Sequence, residues 1–314
     1  MQVSFIGCGN YANSILIPSF KSAGANLLTA ASMSGDASAH SAKKFKFSYA
    51  STDIDSLFKN PENDALVIST RHNSHAKYVS QGLLNNKSIF VEKPLCITLK
   101  ELKKIEVDLK RSHKNKVDNP ILMVGFNRRF SPHGKKIKSL LAEETNPKSF
   151  IFTVNAGSIP SSHWIKDKEL GGGRIIGECC HFIDLIRYLA NSPIISFDKN
   201  IMKSSDNDTV TINLKLKDGS IGTIHYFANG SKAFPKERLE IFSSGKILQL
   251  DNFRKLRAFN WPGFKKMDLW RQDKGQVACA KEFLLAVKEK SASPIPLSEI
   301  FEVARVTIHL SENF

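Results

Sequence analysis

The sequence predicts a two-domain protein of the α/β class, in which a doubly wound parallel sheet precedes an α+β domain with a large, mostly antiparallel sheet. Up to about residue 125, short apolar runs alternate with helix-like segments, which is typical of a parallel sheet. After about residue 145, strand-like runs are joined by tight turns instead. We therefore divide the 314 residues into domains 1–126 and 127–314.

The first domain contains five runs that are apolar and β-branched, as strands buried on both faces should be. They span residues 3–6, 27–32, 65–69, 88–91 and 121–125. The helix-compatible segments span residues 11–23, 38–46, 53–59, 74–86 and 98–112. Ser74 and Thr98 are the expected N-caps, and Glu101 lies at the right spacing to form a capping box with Thr98.

The second domain combines hairpin-like strands with few helices. Strand patterns cover residues 149–156, 209–228 and 238–250, and helical patterns cover residues 275–289 and 297–310. Asp218–Gly219 and Ser244–Gly245 are expected hairpin turns, because such dipeptides suit the positive φ angles of two-residue turns.

The formal net charge of +15 admits two interpretations. A basic chain can bind an anionic ligand, such as a nucleotide or an acidic sugar, or it can carry a lysine-rich solvated surface. Much of the excess charge lies in residues 98–116, which resemble an exposed helix face. No basic segment is interleaved with aromatic residues, so we expect no nucleic-acid partner. No apolar run approaches the ~18 residues of a membrane span, so we expect no membrane partner.

The five cysteines are scattered and lack C-x-x-C spacing; they are Cys8, Cys96, Cys179, Cys180 and Cys279. This pattern indicates free thiols in a reducing compartment. Nothing at the start of the sequence resembles a signal peptide, since Met1 and Gln2 lead directly into a strand-like run. The expected location is therefore the cytoplasm.

A glycine-rich turn follows the first strand. Gly7 permits a tight turn, Gly9 leaves room for a pyrophosphate to approach the backbone, and Ala12 lets the next helix pack close to the strand. The helix start, with Asn10 and Tyr11, supplies amide groups and partial positive charge to the phosphates. This G-x-G-x-x-A spacing between a strand and a helix predicts a dinucleotide-binding Rossmann domain, and a merely tight turn is the alternative.

The end of the second strand bears on the choice between NAD and NADP. NAD-binding folds hold the ribose hydroxyls there with a carboxylate, but this chain has Ser32, Met33 and Ser34, and Asp36 lies beyond a glycine. Without a carboxylate to repel a 2′-phosphate, NADP is acceptable, with Ser32, Ser34 and Lys43 as its partners. The alternative is that small polar residues tolerate either cofactor, and the sequence leans towards NADP.

The segment 171-GGGRIIGECCHFIDLIRYL-189 places two carboxylates, two thiols and an imidazole close together. We interpret it as a loop followed by an amphipathic helix. Regular helical spacing then brings Asp184 next to His181, with Glu178 three residues before the histidine. Carboxylates beside an imidazole hold its tautomer and keep it basic, which suits proton removal from a hydroxyl.

Other interpretations of this segment stay open. A zinc site would need Cys179, Cys180 and His181, but adjacent helical cysteines point about 100° apart and do not converge on one ion. A vicinal disulfide would be strained and is not expected in a reducing compartment. The thiols can be small packing residues and His181 a satisfied core histidine. We expect no metal site.

Four motifs together resemble the glucose–fructose oxidoreductase/inositol dehydrogenase (Gfo/Idh/MocA) family over essentially the whole chain. They are 69-STRHNSHA-76, 91-VEKPL-95, 125-GFNRRFSPH-133 and 171-GGGRIIGECCHFIDL-185. Further stretches resemble a branch that is often fused or linked to zinc-type alcohol dehydrogenases and polysaccharide synthesis. They are 155-NAGSIP-160, 163-HW-164, 225-HYFANGSKAFPKERLEIF-242 and 269-LWRQDKG-275.

The resemblance implies that Lys93 of the Glu92–Lys93–Pro94 motif lies near the nicotinamide and the reacting carbinol, with Glu92 in the cofactor site. The position of the motif agrees, because ligands bind beyond the carboxyl ends of strands in open α/β sheets. A lysine there can stabilise a developing alkoxide. The alternative is a structural surface pair between Lys93 and Glu92.

His181 matches the family's catalytic histidine and Asp184 its following aspartate, which we also expect to contact substrate. The family pattern G-G-x-x-x-D-x-G-x-H-x-x-D has an aspartate where this chain has Gly177, and Glu178 is one place along. The usual lysine–aspartate–histidine trio is therefore incomplete, and Lys93 and His181 remain.

Thr70, Asn73 and His75 follow the fourth strand, where the resemblance implies the nicotinamide ribose. The family usually has T-P-N-x-x-H, and Arg71 replaces the proline here. The alternative is that His75 only packs at a helix start.

Four residues of the second domain are candidates for the substrate pocket. Arg129 and its neighbour Arg128 lie at the domain junction, where they can contact an anionic substrate or brace the crossover. His163 and Trp164 precede the glycines and can line a sugar pocket, although Trp164 can equally be a core residue.

The sequence thus predicts an NAD(P)-dependent oxidoreductase that transfers a hydride to or from a secondary alcohol or ketone of a sugar, sugar nucleotide or cyclitol. Lys93 polarises the oxygen, and His181 moves the proton. One alternative is a glycosidase that uses bound NAD for transient oxidation and elimination. Another is a non-catalytic regulator or partner subunit. By analogy with the family, we expect a homodimer or homotetramer formed through the C-terminal sheet.

Overall fold

The computed structural model describes residues 1–113, 119–204 and 207–312. The chain folds into two compact units. The first comprises Met1–Phe126, Glu169–Gly171 and Gln276–Arg305, and the second comprises Asn127–Lys168, Gly172–Gly275 and the chain from Val306 on. The predicted division into a Rossmann domain of residues 1–126 and an α+β domain of residues 127–314 stays a prediction.

The first unit is built on a parallel sheet with helices between its strands. The strands are β1 (Gln2–Ile6), β2 (Asn26–Ala31), β3 (Tyr49–Ser51), β4 (Ala65–Ile68), β5 (Ser88–Val91) and β6 (Leu122–Val124). The helices are α1 (Ile17–Ser22), α2 (Gly35–Phe45), α3 (Asp55–Lys59), α4 (His75–Leu84) and α5 (Leu99–Ser112). The sheet order is β3-β2-β1-β4-β5-β6, which is the doubly wound order of dinucleotide-binding folds. The predicted α/β class of this half is confirmed.

The starts of two helices differ in how they are capped. Thr98 accepts a hydrogen bond from the backbone N–H of Glu101 (3.2 Å), and the Glu101 carboxylate accepts one from the N–H of Thr98 (3.1 Å), so the predicted capping box is confirmed. Ser74 is the N-cap residue of α4, as predicted, but its side chain makes no capping hydrogen bond. A 3₁₀ turn, His72–Ser74, precedes α4, and the Ser74 hydroxyl donates to the carbonyl of Arg71 (2.9 Å) instead.

The second unit is built on an eight-stranded sheet. Its strands are β7 (Ser149–Asn155), β8 (Ile194–Ile201), β9 (Val210–Leu216), β10 (Ile221–Phe227), β11 (Glu237–Ser243), β12 (Lys246–Asp251), β13 (Lys255–Phe259) and β14 (Lys266–Asp268). The order is β14-β13-β12-β11-β7-β10-β9-β8, and all neighbours are antiparallel except β7 and β10. The predicted mostly antiparallel sheet is confirmed.

Side chains of the second sheet alternate in burial, as a sheet with one covered face requires. Phe150, Phe152 and Val154 of β7 are buried, and the residues between them are half-buried. Helices α6 (Pro132–Leu141) and α7 (Cys180–Ala190) belong to this unit, and α7 packs against both α6 and β10. The sheet therefore supports the helix that carries His181.

Two helices close the chain, α8 (Gln276–Glu289) and α9 (Leu297–Ser311). Helix α8 packs on α1 in the first unit, where the ring of Phe283 meets Phe20 at 6.2 Å and Phe90 at 5.6 Å in edge-to-face geometry. The core of the first unit is thus completed by residues from the end of the chain. Among the described residues, no helix is both long enough and apolar enough to cross a membrane.

Two π-helical turns interrupt the helical geometry. The first π turn (Ala12–Leu16) precedes α1, and the second π turn (Ile175–Cys179) precedes α7. Such turns hold an extra residue relative to an α-helix and are frequent at functional sites. Each one lies beside residues that the sequence analysis proposed for the site.

Candidate active site

The turn after β1 has room on one side and is tightly packed on the other. Gly7 has a φ of +102°, and a Cβ atom added to it would lie 2.7 Å from the carbonyl carbon of Ser69. The Ser69 hydroxyl also donates to the carbonyl of Gly7 (2.8 Å). Gly9 is exposed, and an added Cβ there would meet nothing within 4 Å. This open space at a helix start fits the approach of a pyrophosphate.

An asparagine that the sequence analysis did not single out orders this loop. The Asn13 side-chain amide donates to the carbonyls of Cys8 (2.7 Å) and Gly9 (3.0 Å). The predicted cofactor residues Asn10 and Tyr11 are exposed just before the first π turn, and Ala12 is buried within it. The loop is therefore held in place by Asn13, and Gly9 is its exposed residue.

The end of β2 is polar and carries no acidic residue within Ser32–Ser34. The Ser32 hydroxyl accepts from the N–H of Ser34 (3.3 Å), and the Ser34 hydroxyl accepts from the N–H of Ala37 (3.4 Å), which caps α2. Met33 is 86% exposed, so its side chain has no packing role in the isolated chain. Asp36 stands in the first turn of α2. The predicted contacts of Ser32 and Ser34 with a cofactor stay predictions.

His75 joins the ends of two neighbouring strands. Its Nδ1 lies 2.7 Å from the carbonyl oxygen of Pro94, and its Nε2 lies 3.1 Å from that of Thr70. Burial lowers the pKa of His75, so the imidazole is neutral and donates to only one of the two carbonyls at a time. His75 thereby links the segment after β4 to the Glu92–Lys93–Pro94 motif after β5.

Lys93 is half-buried at the carboxyl end of β5, beside a buried carboxylate. Glu92 is 7% exposed, and a Cβ added to Gly125 would lie 2.8 Å from its Oε1. Glycine at position 125 is therefore what leaves room for this carboxylate. The predicted roles of Glu92, Lys93, Thr70 and Asn73 towards a cofactor stay predictions.

The second π turn changes the geometry in front of His181. Glu178 lies within this turn, so the predicted α-helical spacing between Glu178 and His181 is wrong. The Glu178 carboxylate instead accepts from Nε of Arg174 (3.0 Å), four residues earlier. Gly177 is buried in the same turn, and His181 is half-buried at the start of α7. The predicted catalytic role of His181 stays a prediction.

Asp184 forms a buried ion pair with Arg129. Nε of Arg129 donates to Oδ2 of Asp184 (2.8 Å) and its NH2 group donates to Oδ1 (2.6 Å), while Arg129 is 3% and Asp184 0% exposed. The Arg129 guanidinium also lies 5.0 Å from the ring of Tyr188. This geometry shows an interaction that holds α7, and the predicted substrate contacts of both residues stay predictions.

Arg128 has a buried carboxylate of its own. Its Nε and NH2 donate to the two carboxylate oxygens of Glu237 (3.0 and 2.8 Å), and Lys274 adds a third bond to the same carboxylate (2.7 Å). Burial alone would raise the pKa of Glu237, but Arg128 and Lys274 outweigh it and bring the pKa to about 2. Each of the two adjacent arginines therefore has a carboxylate partner inside the protein.

His163 and Trp164 lie side by side before the glycine run. Their rings stack at 5.9 Å with an interplanar angle of 28°. Nδ1 of His163 accepts from the N–H of Ile165 (3.3 Å), which starts the 3₁₀ turn Trp164–Lys166. His163 is exposed and Trp164 half-buried, so both rings have a face that a ligand can reach, and their substrate role stays a prediction.

The sequence analysis did not identify two buried residues of this region, a histidine and an arginine. His72 is 5% exposed, and its Nδ1 lies 2.7 Å from the carbonyl of Gly171. Arg174 is 4% exposed and donates to the carbonyl of Gly157 (2.8 Å) as well as to Glu178. One signal for His72 was available, because it stands in the asparagine place of the T-P-N-x-x-H pattern. For Arg174 the signal was weaker: a single arginine directly after three glycines.

The described part of the chain contains no cluster of three His, Cys, Asp or Glu residues arranged to hold a metal ion. The five cysteines are buried free thiols. Burial raises the pKa of Cys179 well above the ordinary thiol value, so this thiol is protonated and inert at neutral pH. The thiols of the GECCH segment thus behave as packing groups.

Comparisons with known proteins agree with this description. Residues 1–118 match the model of an oxidoreductase family with an NAD-binding Rossmann fold, and residues 146–248 match the Gfo/Idh/MocA C-terminal domain. A myo-inositol 2-dehydrogenase from Thermotoga maritima is 26% identical over 206 residues. That alignment covers 63% of this chain but only 59% of the relative's length.

Two solved structures share the fold over nearly the whole chain. A levoglucosan dehydrogenase in complex with NADH and levoglucosan has a TM-score of 0.85 at 19% identity, covering 99% of this chain and 97% of that one. A UDP-N-acetylglucosamine 3-dehydrogenase from Acidithiobacillus ferrooxidans has a TM-score of 0.83 at 18% identity, covering 99% and 96%. Because residues 1–118 match the Rossmann-domain model and residues 146–248 the C-terminal-domain model of the same family, the chain belongs to the Gfo/Idh/MocA oxidoreductase family.

Proposed function

We propose that the protein is an NAD(P)-dependent oxidoreductase that transfers a hydride to or from a secondary alcohol or ketone of a sugar, sugar nucleotide or cyclitol. The observation that carries the proposal is the open loop at Gly9, after β1, at the same carboxyl edge of the sheet as Lys93, which follows β5 two strands away. The names of the relatives, which are inositol, levoglucosan and UDP-N-acetylglucosamine dehydrogenases, support this class of substrate.

A bound nicotinamide cofactor supplies the hydride acceptor for oxidation and the donor for reduction. The residues of this chain bind the cofactor, stabilise charge on the substrate oxygen and transfer the proton. The loop from Gly7 to Ala12 binds the pyrophosphate through backbone amides at a helix start. The ammonium of Lys93 stabilises negative charge on the carbinol oxygen as the hydride leaves its carbon. His181 accepts the hydroxyl proton in oxidation and returns it to the oxygen in reduction.

We assign different roles to the two acidic residues near His181. Asp184 acts through Arg129, since their buried ion pair fixes α7 one turn beyond the histidine. Glu178 acts through Arg174, and through it on the second π turn. Neither assignment restores the family aspartate at Gly177, so we propose that Lys93 and His181 carry the proton and charge transfer without it.

We also propose NADP as the preferred cofactor. The end of β2 offers the hydroxyls of Ser32 and Ser34 and the start of α2, and no carboxylate stands within Ser32–Ser34 to repel a 2′-phosphate. The carboxylate nearest to this site is that of Asp36 in the first turn of α2, beyond Gly35, and titration with both cofactors tests the preference.

Three further proposals concern the family branch, the assembly and the compartment. The motifs around residues 155–164 and 225–242 favour the branch linked to polysaccharide biosynthesis. The half-exposed face of the second sheet suits pairing of two or four copies of the chain. The five free thiols favour a reducing compartment, the cytoplasm.

A substrate panel tests the proposed reaction. The purified protein would be given NAD⁺ or NADP⁺ with myo-inositol, scyllo-inositol, levoglucosan or UDP-N-acetylglucosamine, and the absorbance of the reduced cofactor recorded. We expect the cofactor to be reduced in the presence of at least one of these alcohols, and we expect Lys93→Ala to lose this activity. If the protein binds NADH but turns over none of these alcohols, the proposed substrate class is contradicted. Cleavage of a glycoside without added cofactor would support the glycosidase alternative instead.

A further inference from the structure

The 3₁₀ turn after β4 holds two consecutive carbonyl groups of the segment that leads to the glycine run. The backbone N–H of Asn73 donates to the carbonyl of Leu170 (3.1 Å), and Nδ1 of His72 lies 2.7 Å from the carbonyl of Gly171. Residues Glu169–Gly171 belong to the first unit, although the chain on both sides of them belongs to the second. We call this pair of bonds the 170–171 latch.

The imidazole of His72 is well suited to this bond. A carbonyl oxygen only accepts, so Nδ1 carries the proton and donates. Burial, with Lys93 and His75 nearby, lowers the pKa of His72 to about 3, so the ring stays neutral at ordinary pH. The latch is therefore a neutral hydrogen bond in a site from which water is largely excluded, where losing the donor leaves a buried carbonyl unsatisfied.

Only two glycines separate the latch from Arg174, and the N–H of the first, Gly172, donates to the carbonyl of Asp167 (3.0 Å). Gly172 and Gly173 have φ angles of +74° and +87°, which glycine adopts without strain. Arg174 follows and is anchored by its bond to the carbonyl of Gly157 (2.8 Å). The second π turn and His181 come directly after it. The latch thus sets where the chain enters the segment that carries the proposed proton acceptor.

We propose that His72 is a positioning residue: by holding the carbonyl of Gly171, it fixes the start of the glycine-run segment that places His181 for proton transfer. The catalytic consequence rests on the proposed dehydrogenase function, whereas the latch itself is a property of the fold. His72 touches no reacting atom in this role and acts through the backbone of Gly171.

Two variants and a control separate this role from simple packing. His72→Ala removes the donor, whereas His72→Asn keeps an N–H close to the place of Nδ1. His40→Ala is the matched control, because His40 is an exposed histidine on α2. Hydrogen–deuterium exchange would be followed by mass spectrometry in peptides covering residues 70–76 and 167–175.

We expect the Asn73 and Gly172 amides to exchange about tenfold faster or more in His72→Ala, and near the wild-type rate in His72→Asn and His40→Ala. NADH titration should give the same affinity within a few-fold in all four proteins. With a substrate found in the panel, kcat should fall about ten- to hundredfold in His72→Ala with KM little changed, and His72→Asn should recover most of it.

Unchanged exchange in His72→Ala would overturn the latch, whatever the kinetics show. Faster exchange with an unchanged kcat would overturn the positioning role. If the wild-type protein bound no NADH and turned over no substrate, the proposed function would fail, and the latch would still stand or fall on the exchange rates alone. If His72→Ala does not fold, His72→Gln replaces it, since its amide lies nearer the place of Nε2 and cannot reproduce the Nδ1 bond.

Discussion

The two regions that carry the predicted site residues treat polar groups in opposite ways. At the carboxyl edge of the first sheet, Gly9 faces open space and the side chains of Tyr11 and Met33 are exposed. Around α7, Asp184 and Glu237 are buried, and each is bound by an arginine. The first region is therefore exposed at a helix start, which suits an anionic ligand. The buried carboxylates of the second region are already paired with arginines, next to the helix that carries His181.

The two regions also differ in how much they must rearrange when a ligand binds. Binding at the first edge replaces water by a ligand and needs little rearrangement, because Ser69 and Asn13 already hold the loop. Charge in the second region is locked in ion pairs, and breaking one leaves a buried ion without a partner. Substitutions in the first region should therefore affect binding, and those around α7 should affect stability, with His181 as the exception.

The largest effect should come from His181→Ala. Removing the proton acceptor should lower kcat about 10²- to 10⁴-fold, since this is the usual contribution of a general base. NADH affinity should stay within a few-fold, because His181 belongs to the second unit and the nucleotide loop to the first. Steady-state kinetics with a panel substrate and a fluorescence titration would measure both. Unchanged turnover would remove His181 from the mechanism.

Asp184→Ala should come next, as a loss of stability. It leaves the buried Arg129 guanidinium without its bidentate partner, which typically costs about 3–5 kcal/mol in the free energy of unfolding. Glu240→Ala is the control, because its pair with Arg238 (3.0 Å) is partly exposed and should contribute less than about 1 kcal/mol. Urea unfolding would compare the two, and equal losses would contradict the structural role of the Asp184 pair.

Buried histidines should make the protein less stable in mild acid. Burial lowers the pKa of His72 to about 3, whereas an unfolded histidine has a pKa of about 6.5. The unfolded chain then binds more protons, so stability is complete above pH 6.5 and falls as the pH drops towards 3. At pH 5 the loss from His72 should be about 2 kcal/mol. Burial also lowers the pKa of His75 and His133, which adds to the effect.

Urea unfolding at pH 7.5 and pH 5.0 would measure this loss, with His72→Asn as the test variant and His40→Ala as the control. His72→Asn should reduce the difference between the two pH values, whereas His40→Ala, at an exposed position, should leave it unchanged. Equal pH dependence in the wild type and His72→Asn would show that His72 titrates normally in the folded state.

The smallest effect on stability should come from Gly9→Ala. A Cβ there meets nothing within 4 Å, so the free energy of unfolding should change by no more than about 0.5 kcal/mol. NADH affinity should nevertheless fall, because the methyl group occupies the space through which a pyrophosphate approaches the backbone. Gly7→Ala is the contrasting variant, since its φ of +102° and a contact at 2.7 Å predict destabilisation instead. Undiminished NADH binding by Gly9→Ala would place the phosphates elsewhere.

Local patterns account for the parts of the fold that the sequence predicted well. Strands β1, β4 and β5 are short apolar runs buried on both faces, and the Thr98–Glu101 box has a fixed spacing. Strand β3 was missed because its three residues are largely exposed and form no apolar run. Strand β8 was missed for a similar reason, since each of its eight residues is exposed or half-buried.

Distance along the chain explains what was missed in the site. The position of Lys93 could be predicted because it directly follows a strand, and that of Gly9 because it belongs to the G-x-G-x-x-A motif. The partner of Asp184 is Arg129, 55 residues earlier, which no local spacing reveals. The second π turn was equally hidden, because regular 100° spacing was assumed between Glu178 and His181. Pairings made only in the folded chain, such as that of His72 with Gly171, lie beyond single-sequence reasoning.

The most direct test of the account is a fluorescence titration of nucleotide-stripped protein with NADH and NADPH, run beside Gly9→Ala. We expect the wild type to bind both nucleotides at micromolar concentrations, NADPH more tightly than NADH, and Gly9→Ala to bind both more weakly. Binding of neither nucleotide by well-folded wild-type protein would contradict the dehydrogenase proposal and favour a non-catalytic role for the Rossmann domain.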